Sequence, residues 1–87
     1  MNLVKVRALG HLRSALKVAQ IDVDAGVSDI RGLLNKLSTQ LPADEQPITS
    51  ENTLVLVNGV EISALSEYDT PVTAEDEIVL IPVVNGG

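Results

Sequence analysis

From Ile78 to Val84 the chain reads Ile-Val-Leu-Ile-Pro-Val-Val, with no polar side chain on either alternating face. A strand of that composition has to be covered on both sides, which is the position of a central strand and not of an edge. The run is far shorter than the ~18 apolar residues that cross a bilayer as a helix. It belongs to a core.

The rest of the chain supplies neighbours for that strand. Val4, Val6 and Ala8 alternate with Lys5 and Arg7, and Ala19, Ile21 and Val23 alternate with Gln20 and Asp22. Both segments have the period-2 pattern of half-buried strands, and the turn at Gly10-His11 between them makes an opening hairpin. The period then changes. Ile30, Leu33, Leu34, Leu37 and Leu41 fall on one stripe of an amphipathic helix. Ser28 is placed to cap it, Asp29 adds favourable charge to its first turn, and Pro42 stops it. A polar loop spans residues 42–52. Thr53 to Val57 is a third strand, and Asn58-Gly59 is a type I′ turn signal leading into Val60, Glu61 and Ile62. Residues 63–76 read as irregular.

Strand, strand, helix, strand, short strand, strand is an α+β order. The double-faced last strand pairs most naturally with the first. The result is a β-grasp, a mixed sheet of four to five strands packed on one main helix, with residues 1–87 forming a single domain and about 84–87 a flexible tail. One helix covers one face of a sheet. Val4, Val6 and Ala8 are expected on the covered face. Leu3, with either Ile78 and Leu80 or Val79 and Ile81, is expected on the open face as an exposed aliphatic patch.

Composition excludes several kinds of chemistry. The 87 residues contain no Cys and one His, which removes disulfides, thiolate nucleophiles and a structural zinc site; no metal site is expected. All six basic residues lie at or before Lys36, together with three acids, whereas nine acids and no base follow. A net charge of −6 disfavours a nucleic-acid partner, and the acidic second half suits either a basic docking partner or plain solvation. There is no Gly-rich phosphate loop ending in Lys-Ser or Lys-Thr, so the chain does not handle ATP by itself. His11, in a turn, reads as a solvated side chain and not as a catalytic base. The acids Asp44-Glu45 and Glu75-Asp76-Glu77 read as surface charge. With no signal or membrane segment visible, the expected location is the cytoplasm.

What remains is Gly86-Gly87, directly after the strand. Glycine has no Cβ, so such an end can thread a narrow channel and present a carboxylate inside another protein. From Val84 to Gly87 the reach is at most ~13–14 Å. The alternative is a merely frayed terminus.

The ending Thr73-Ala-Glu-Asp-Glu-Ile-Val-Leu-Ile-Pro-Val-Val-Asn-Gly-Gly resembles the last strand and tail of MoaD/ThiS-type ubiquitin-like sulfur carriers. Val27-Ser28-Asp29-Ile30 before Leu33-Leu34, the Val57-Asn58-Gly59 hairpin and Asp69-Thr70-Pro71-Val72 match the same family, so the likeness covers essentially the whole chain. The tail Ile81-Pro82-Val83-Val84-Asn85-Gly86-Gly87 keeps one proline of the MoaD-like Phe-Pro-Pro-Val-x-Gly-Gly ending and lacks its aromatic. The 42–52 loop and this proline place the chain nearer to MoaD and the small archaeal modifiers than to ThiS.

The resemblance implies a carrier protein and not an enzyme. A partner related to ubiquitin-activating enzymes would use ATP to adenylate the Gly87 carboxylate, and a sulfur donor would convert it to a thiocarboxylate. Val84, Asn85 and Gly86 would thread the partner, and Leu80, Ile81 and Pro82 would contact it. The leading expectation is the small subunit of molybdopterin synthase, serving molybdenum or tungsten cofactor synthesis beside a large subunit that receives the tail. The alternatives are a modifier joined to lysines of other proteins, or a sulfur carrier for thiamine or tRNA thiolation. No cofactor bound by the chain and no membrane partner are implied.

Overall fold

The computed structural model describes residues 3–16, 20–22 and 27–83. Strand β1 (Leu3–Ala8) is followed by a single helical turn, α1 (Leu12–Ala15), and by β2 (Gln20–Asp22). The main helix α2 (Ile30–Ser38) precedes β3 (Thr53–Val57) and β4 (Val60–Glu61), and β5 (Glu77–Pro82) comes last. Two short 3-10 turns, Ile62–Ala64 and Glu67–Asp69, lie between β4 and β5.

The five strands form one sheet in the order β2-β1-β5-β3-β4. β5 is central, parallel to β1 with Val6 opposite Ile78, and antiparallel to β3 with Val55 opposite Leu80. This is the β-grasp expected from the double-faced apolar run. The β1–β2 pair is antiparallel, with Val4 opposite Ile21. Ala19 and Val23, read as part of the second strand, lie outside the described residues.

Between sheet and helix the core is aliphatic. Val4, Ile30, Leu33, Leu37, Val55, Ile62, Ile78 and Leu80 are fully buried, and Leu12, Leu16, Leu34 and Ile48 close its margins. Four members of the predicted helical stripe are in the core, and Leu41 packs at its edge.

The details of capping differ from the sequence reading. Asp29, not Ser28, is the N-cap of α2: its backbone is extended and its carboxylate accepts from the Gly32 backbone N–H at 2.8 Å. Ser28 is used differently, its carbonyl accepting from the Val72 N–H at 3.0 Å, while Ile30 N–H donates to the Thr70 carbonyl at 2.9 Å. The segment before β5 is thereby stitched to the start of the helix. At the other end α2 stops at Ser38, ahead of Pro42, because the chain tightens: Gln40 N–H bonds the Leu37 carbonyl and Leu41 N–H the Ser38 carbonyl. Tighter last turns of this kind satisfy carbonyls that a continuing helix would use.

At the hairpin, Asn58 and Gly59 have φ of 53° and 86°, both in the left-handed region that a type I′ turn requires. Ile62 leaves the short strand and begins a 3-10 turn, with the Glu61 carboxylate accepting from the Ser63 backbone N–H at 2.9 Å.

Candidate functional site

β5 delivers the chain to Pro82 and Val83, and Val83 N–H still bonds the Asn52 carbonyl at 3.0 Å. The point where the tail begins is therefore fixed by the central strand and by the end of the 42–52 loop. Val84, Asn85, Gly86 and Gly87, the residues proposed to thread and react, lie outside the described residues. Of the three proposed to contact a partner, Leu80 is fully buried in the core and cannot meet another protein; Ile81 and Pro82 are half-buried and can.

The root of the tail is flanked by the β1–α1 turn. Gly10 has φ +58°, and a Cβ placed there would sit 3.3 Å from Pro82 Cγ. Glycine suits the position on both counts: it adopts this φ without a Cβ penalty, and any Cβ would have to press the Pro82 ring aside by a few tenths of an ångström. Leu9 N–H donates to the Leu80 carbonyl at 3.0 Å and Arg13 N–H to the Gly10 carbonyl at 3.1 Å, so the turn is bound to the end of β5. This brings His11 beside Val83, where both line a pocket of about 280 Å3. Leu12 and Ile48 contribute its apolar lining, and Glu45, Gln46, Asn52 and Thr53 its polar lining. His11 is largely exposed, as a turn residue should be, and its Nε2 lies 3.6 Å from Glu45 Oε2.

The sequence shows neither this pocket nor the approach of His11 to Glu45. The residues come from three separate segments, and only the Gly10–Pro82 packing and the loop fold bring them together.

The face of the sheet turned away from α2 carries a second feature. Val79 and Ile81 alternate with the buried Ile78 and Leu80, so Val79 and Ile81 are the outward set. Leu56 is paired with Val79 and Leu54 with Ile81, which makes a contiguous aliphatic stripe, with Leu54 41% exposed. Leu3 is half-buried at its margin. Exposed Lys5 and Arg7 border the stripe on β1, and Glu77 and Glu61 border it elsewhere. The Ser63 hydroxyl and backbone N–H both donate to the Glu61 carboxylate and hold its carboxyl below the usual value, so that border stays anionic. The expected aliphatic patch is present, and its register is now defined.

The family model described as the ThiS family matches residues 6–87, running through the sheet, the tail root and the Gly-Gly end. The chain belongs to the ThiS family. Its members are ubiquitin-like sulfur carriers and modifiers, small carrier proteins and not enzymes. Comparison with curated protein sequences gives no match. Among solved structures, the small archaeal modifier protein 1 (SAMP1) of Methanosarcina acetivorans aligns with a TM-score of 0.73 and 25% identity, over 100% of this chain and 98% of that one. Urm1 of Trypanosoma brucei aligns with a TM-score of 0.69 and 23% identity, over 99% and 96% of the two chains. The BexX/CysO complex of Amycolatopsis orientalis contains a chain matching at a TM-score of 0.66 and 15% identity, over 97% and 99%. Urm1 and the Amycolatopsis chain show the likeness of fold alone. Among the described residues no helix is long and apolar enough to cross a membrane.

Proposed function

We propose that this chain is a sulfur carrier whose Gly87 carboxylate is activated by a partner enzyme and converted to a thiocarboxylate. What supports the reading is the ThiS family match running through Gly87, together with a central strand that ends at Pro82, five residues before it in the sequence. A carboxylate is a poor acyl electrophile. Attack of its oxygen on the α-phosphorus of ATP, held by a partner of the ubiquitin-activating type, releases pyrophosphate and leaves an acyl-adenylate. A sulfide-equivalent donor then attacks the carbonyl carbon, AMP departs with the bonding pair, and sulfur remains on the terminus as the thiocarboxylate. Gly86 and Gly87 let the tail enter a channel, Asn85 and Val84 span it, and Ile81 and Pro82 meet its mouth. The open aliphatic face of the sheet is the remaining docking surface.

In the specific form of the proposal, the carrier works in the cytoplasm as the small subunit of molybdopterin synthase, with a large subunit as the final receiver of its tail. A second reading, conjugation of Gly87 to lysines as a protein modifier, draws support from the neighbour named a small archaeal modifier protein, at 25% identity. The test is intact-mass spectrometry after incubation with the cognate activating enzyme, ATP and a sulfide donor. The mass is expected to rise by the difference between sulfur and oxygen, and to stay unchanged with ATP alone. No rise with an enzyme shown active on another carrier overturns the carrier reading. A ladder of conjugates on lysines of other proteins, without transfer of sulfur to a small molecule, favours the modifier.

A further inference from the structure

We propose that the pocket between His11 and Glu45 is a socket for one Arg or Lys side chain at the mouth of the activating partner's channel; this rests on the carrier reading of Gly87. The argument begins with reach. Four residues follow Val83 in the sequence, and extended they cover only ~13–14 Å. A partner that brings Gly87 to its reacting centre within that distance must close its channel mouth against the surface around Val83. Val83 itself lines the pocket, so the mouth lies against it.

The chemistry of the lining then selects the visitor. Leu12, Ile48 and Val83 give the pocket apolar walls, suited to a methylene stem. Two of its polar members are already engaged. The Asn52 amide donates to the Pro47 carbonyl at 2.9 Å and accepts from the Thr49 N–H at 3.0 Å and the Thr53 hydroxyl at 2.8 Å, which also occupies the Thr53 donor. That leaves the half-buried Glu45 carboxylate as the strong acceptor at the rim, with the His11 imidazole 3.6 Å away as its neighbour. A long side chain with an apolar stem and a cationic head fits both parts, replacing the imidazole at Glu45. Charge supports the same visitor, because from Leu37 onward the chain carries nine acids and no base. The loop holding Glu45 is tied down by Ile48 N–H donating to Ser38 Oγ at 3.1 Å and by Glu45 N–H to the Pro42 carbonyl at 3.0 Å. The carboxylate is thereby presented from a loop hydrogen-bonded to the end of α2 and closed by its own turn.

The experiment measures kcat and KM for thiocarboxylate formation by the purified cognate activating enzyme. Glu45→Lys is compared with Glu75→Lys, the same charge change at the opposite end of β5. Glu45→Lys is expected to raise KM by about tenfold or more, since it sets like charges against each other at the mouth, with kcat within about twofold. Glu75→Lys is expected to change KM by no more than about twofold, the residue of long-range steering. Thermal unfolding of both variants shows that each is folded. In parallel, a benzophenone amino acid at position 45 should crosslink the purified enzyme within a peptide carrying Arg or Lys, and one at position 75 should not. A Glu45→Lys variant with the parent KM overturns the socket, as does an equal rise for both variants. If the parent chain is not activated at all by an enzyme active on another carrier, the carrier reading has failed and the socket falls with it.

Discussion

Asn58 and Asp76 join the β3–β4 turn to the start of β5: Asn58 Nδ2 donates to Asp76 Oδ1 at 2.8 Å, while Asn58 Oδ1 accepts from the Glu77 backbone N–H at 2.9 Å. Asn58 N–H also donates to the Glu77 carbonyl at 2.9 Å, and the second Asp76 oxygen accepts from the Thr73 N–H at 2.8 Å. One carboxylate therefore closes two turns at once. Asp76→Ala should lower stability by about 1–2 kcal/mol, the size of a few partly exposed hydrogen bonds lost together. Urea unfolding of the two proteins, with unchanged m-values, measures it. A loss below about 0.3 kcal/mol would show the clasp to be ornamental.

The same clasp gives stability a dependence on acid. Partial burial pushes the Asp76 carboxyl upward, but the Thr73 N–H, the Asn58 amide and the Thr73 hydroxyl together outweigh it and leave it below its ordinary value of 3.8. A carboxyl lowered in the folded state contributes stability above its ordinary value, and loses it as pH falls through the lowered one. The parent should therefore lose more stability than Asp76→Asn between pH 5 and pH 2, roughly the carboxylate window. Parallel urea titrations at several pH values compare the two slopes. Identical slopes would remove Asp76 as a source of the acid loss.

Much of this architecture was legible because periodicity and turn chemistry act locally. The Thr53–Val57 strand, the Asn58-Gly59 turn and the central place of the last strand follow from residue pattern alone. α1 was missed because one turn of helix shows only Leu12 and Leu16, spaced by four, and a single such pair is too short to register a period. The choice of Asp29 over Ser28 as cap was decided by tertiary pairing, since Val72 occupies the Ser28 carbonyl. The outward register of Val79 and Ile81 could not be read from a run apolar on both faces. The pocket at the tail root was invisible for a related reason: residues 11, 45 and 83 share no local pattern.

Gly10 should be intolerant of substitution. With φ +58°, an alanine there adopts a conformation costing about 1 kcal/mol, and its methyl also meets Pro82 Cγ at 3.3 Å. Gly10→Ala is expected to lower stability by about 1–2 kcal/mol and to disturb the β1–α1 turn. Gly59→Ala is the comparison: its φ is +86°, but no atom lies within 4 Å of the added carbon. The strain there is conformational only, and φ +86° lies beyond the left-handed well, at about +50 to +70°, in which Gly10 sits. Thermal melts measure both losses, and a Gly10→Ala loss below about 0.5 kcal/mol would contradict the packing of Gly10 on Pro82.

Neighbouring residues of the sheet should separate folding from docking. Leu80 is fully buried, so Leu80→Ala should cost about 2–5 kcal/mol through lost burial and the cavity left behind. Leu54, 41% exposed on the open face, should tolerate Leu54→Lys within about 0.5 kcal/mol. If the open face meets the activating enzyme, the same variant should raise KM for activation without changing kcat. Steady-state kinetics beside a thermal melt distinguish the two effects. An unchanged KM would show that this face is not used in activation.

The tail provides the sharpest division between fold and function. Residues beyond the last strand of a domain ordinarily add little to its stability, so Gly87→Ala, Gly86→Val and deletion of Gly87 should each leave it within about 0.5 kcal/mol. Activation should respond very differently. A channel narrow enough to select glycine has no space for a methyl or isopropyl group, and deletion moves the carboxylate back by ~3.3–3.6 Å, out of line with the adenylating centre. Adding one residue after Gly87 moves it forward by the same step and should fail for the same reason. All four variants should therefore melt with the parent while losing thiocarboxylate formation or the transfer that follows it. Intact mass after incubation with the activating enzyme, ATP and sulfide reads the first loss, and sulfur delivery to the acceptor reads the second. Normal activation and transfer by every variant would make the tail passive. Early melting would instead assign the glycines to the fold, and the channel argument would have no support.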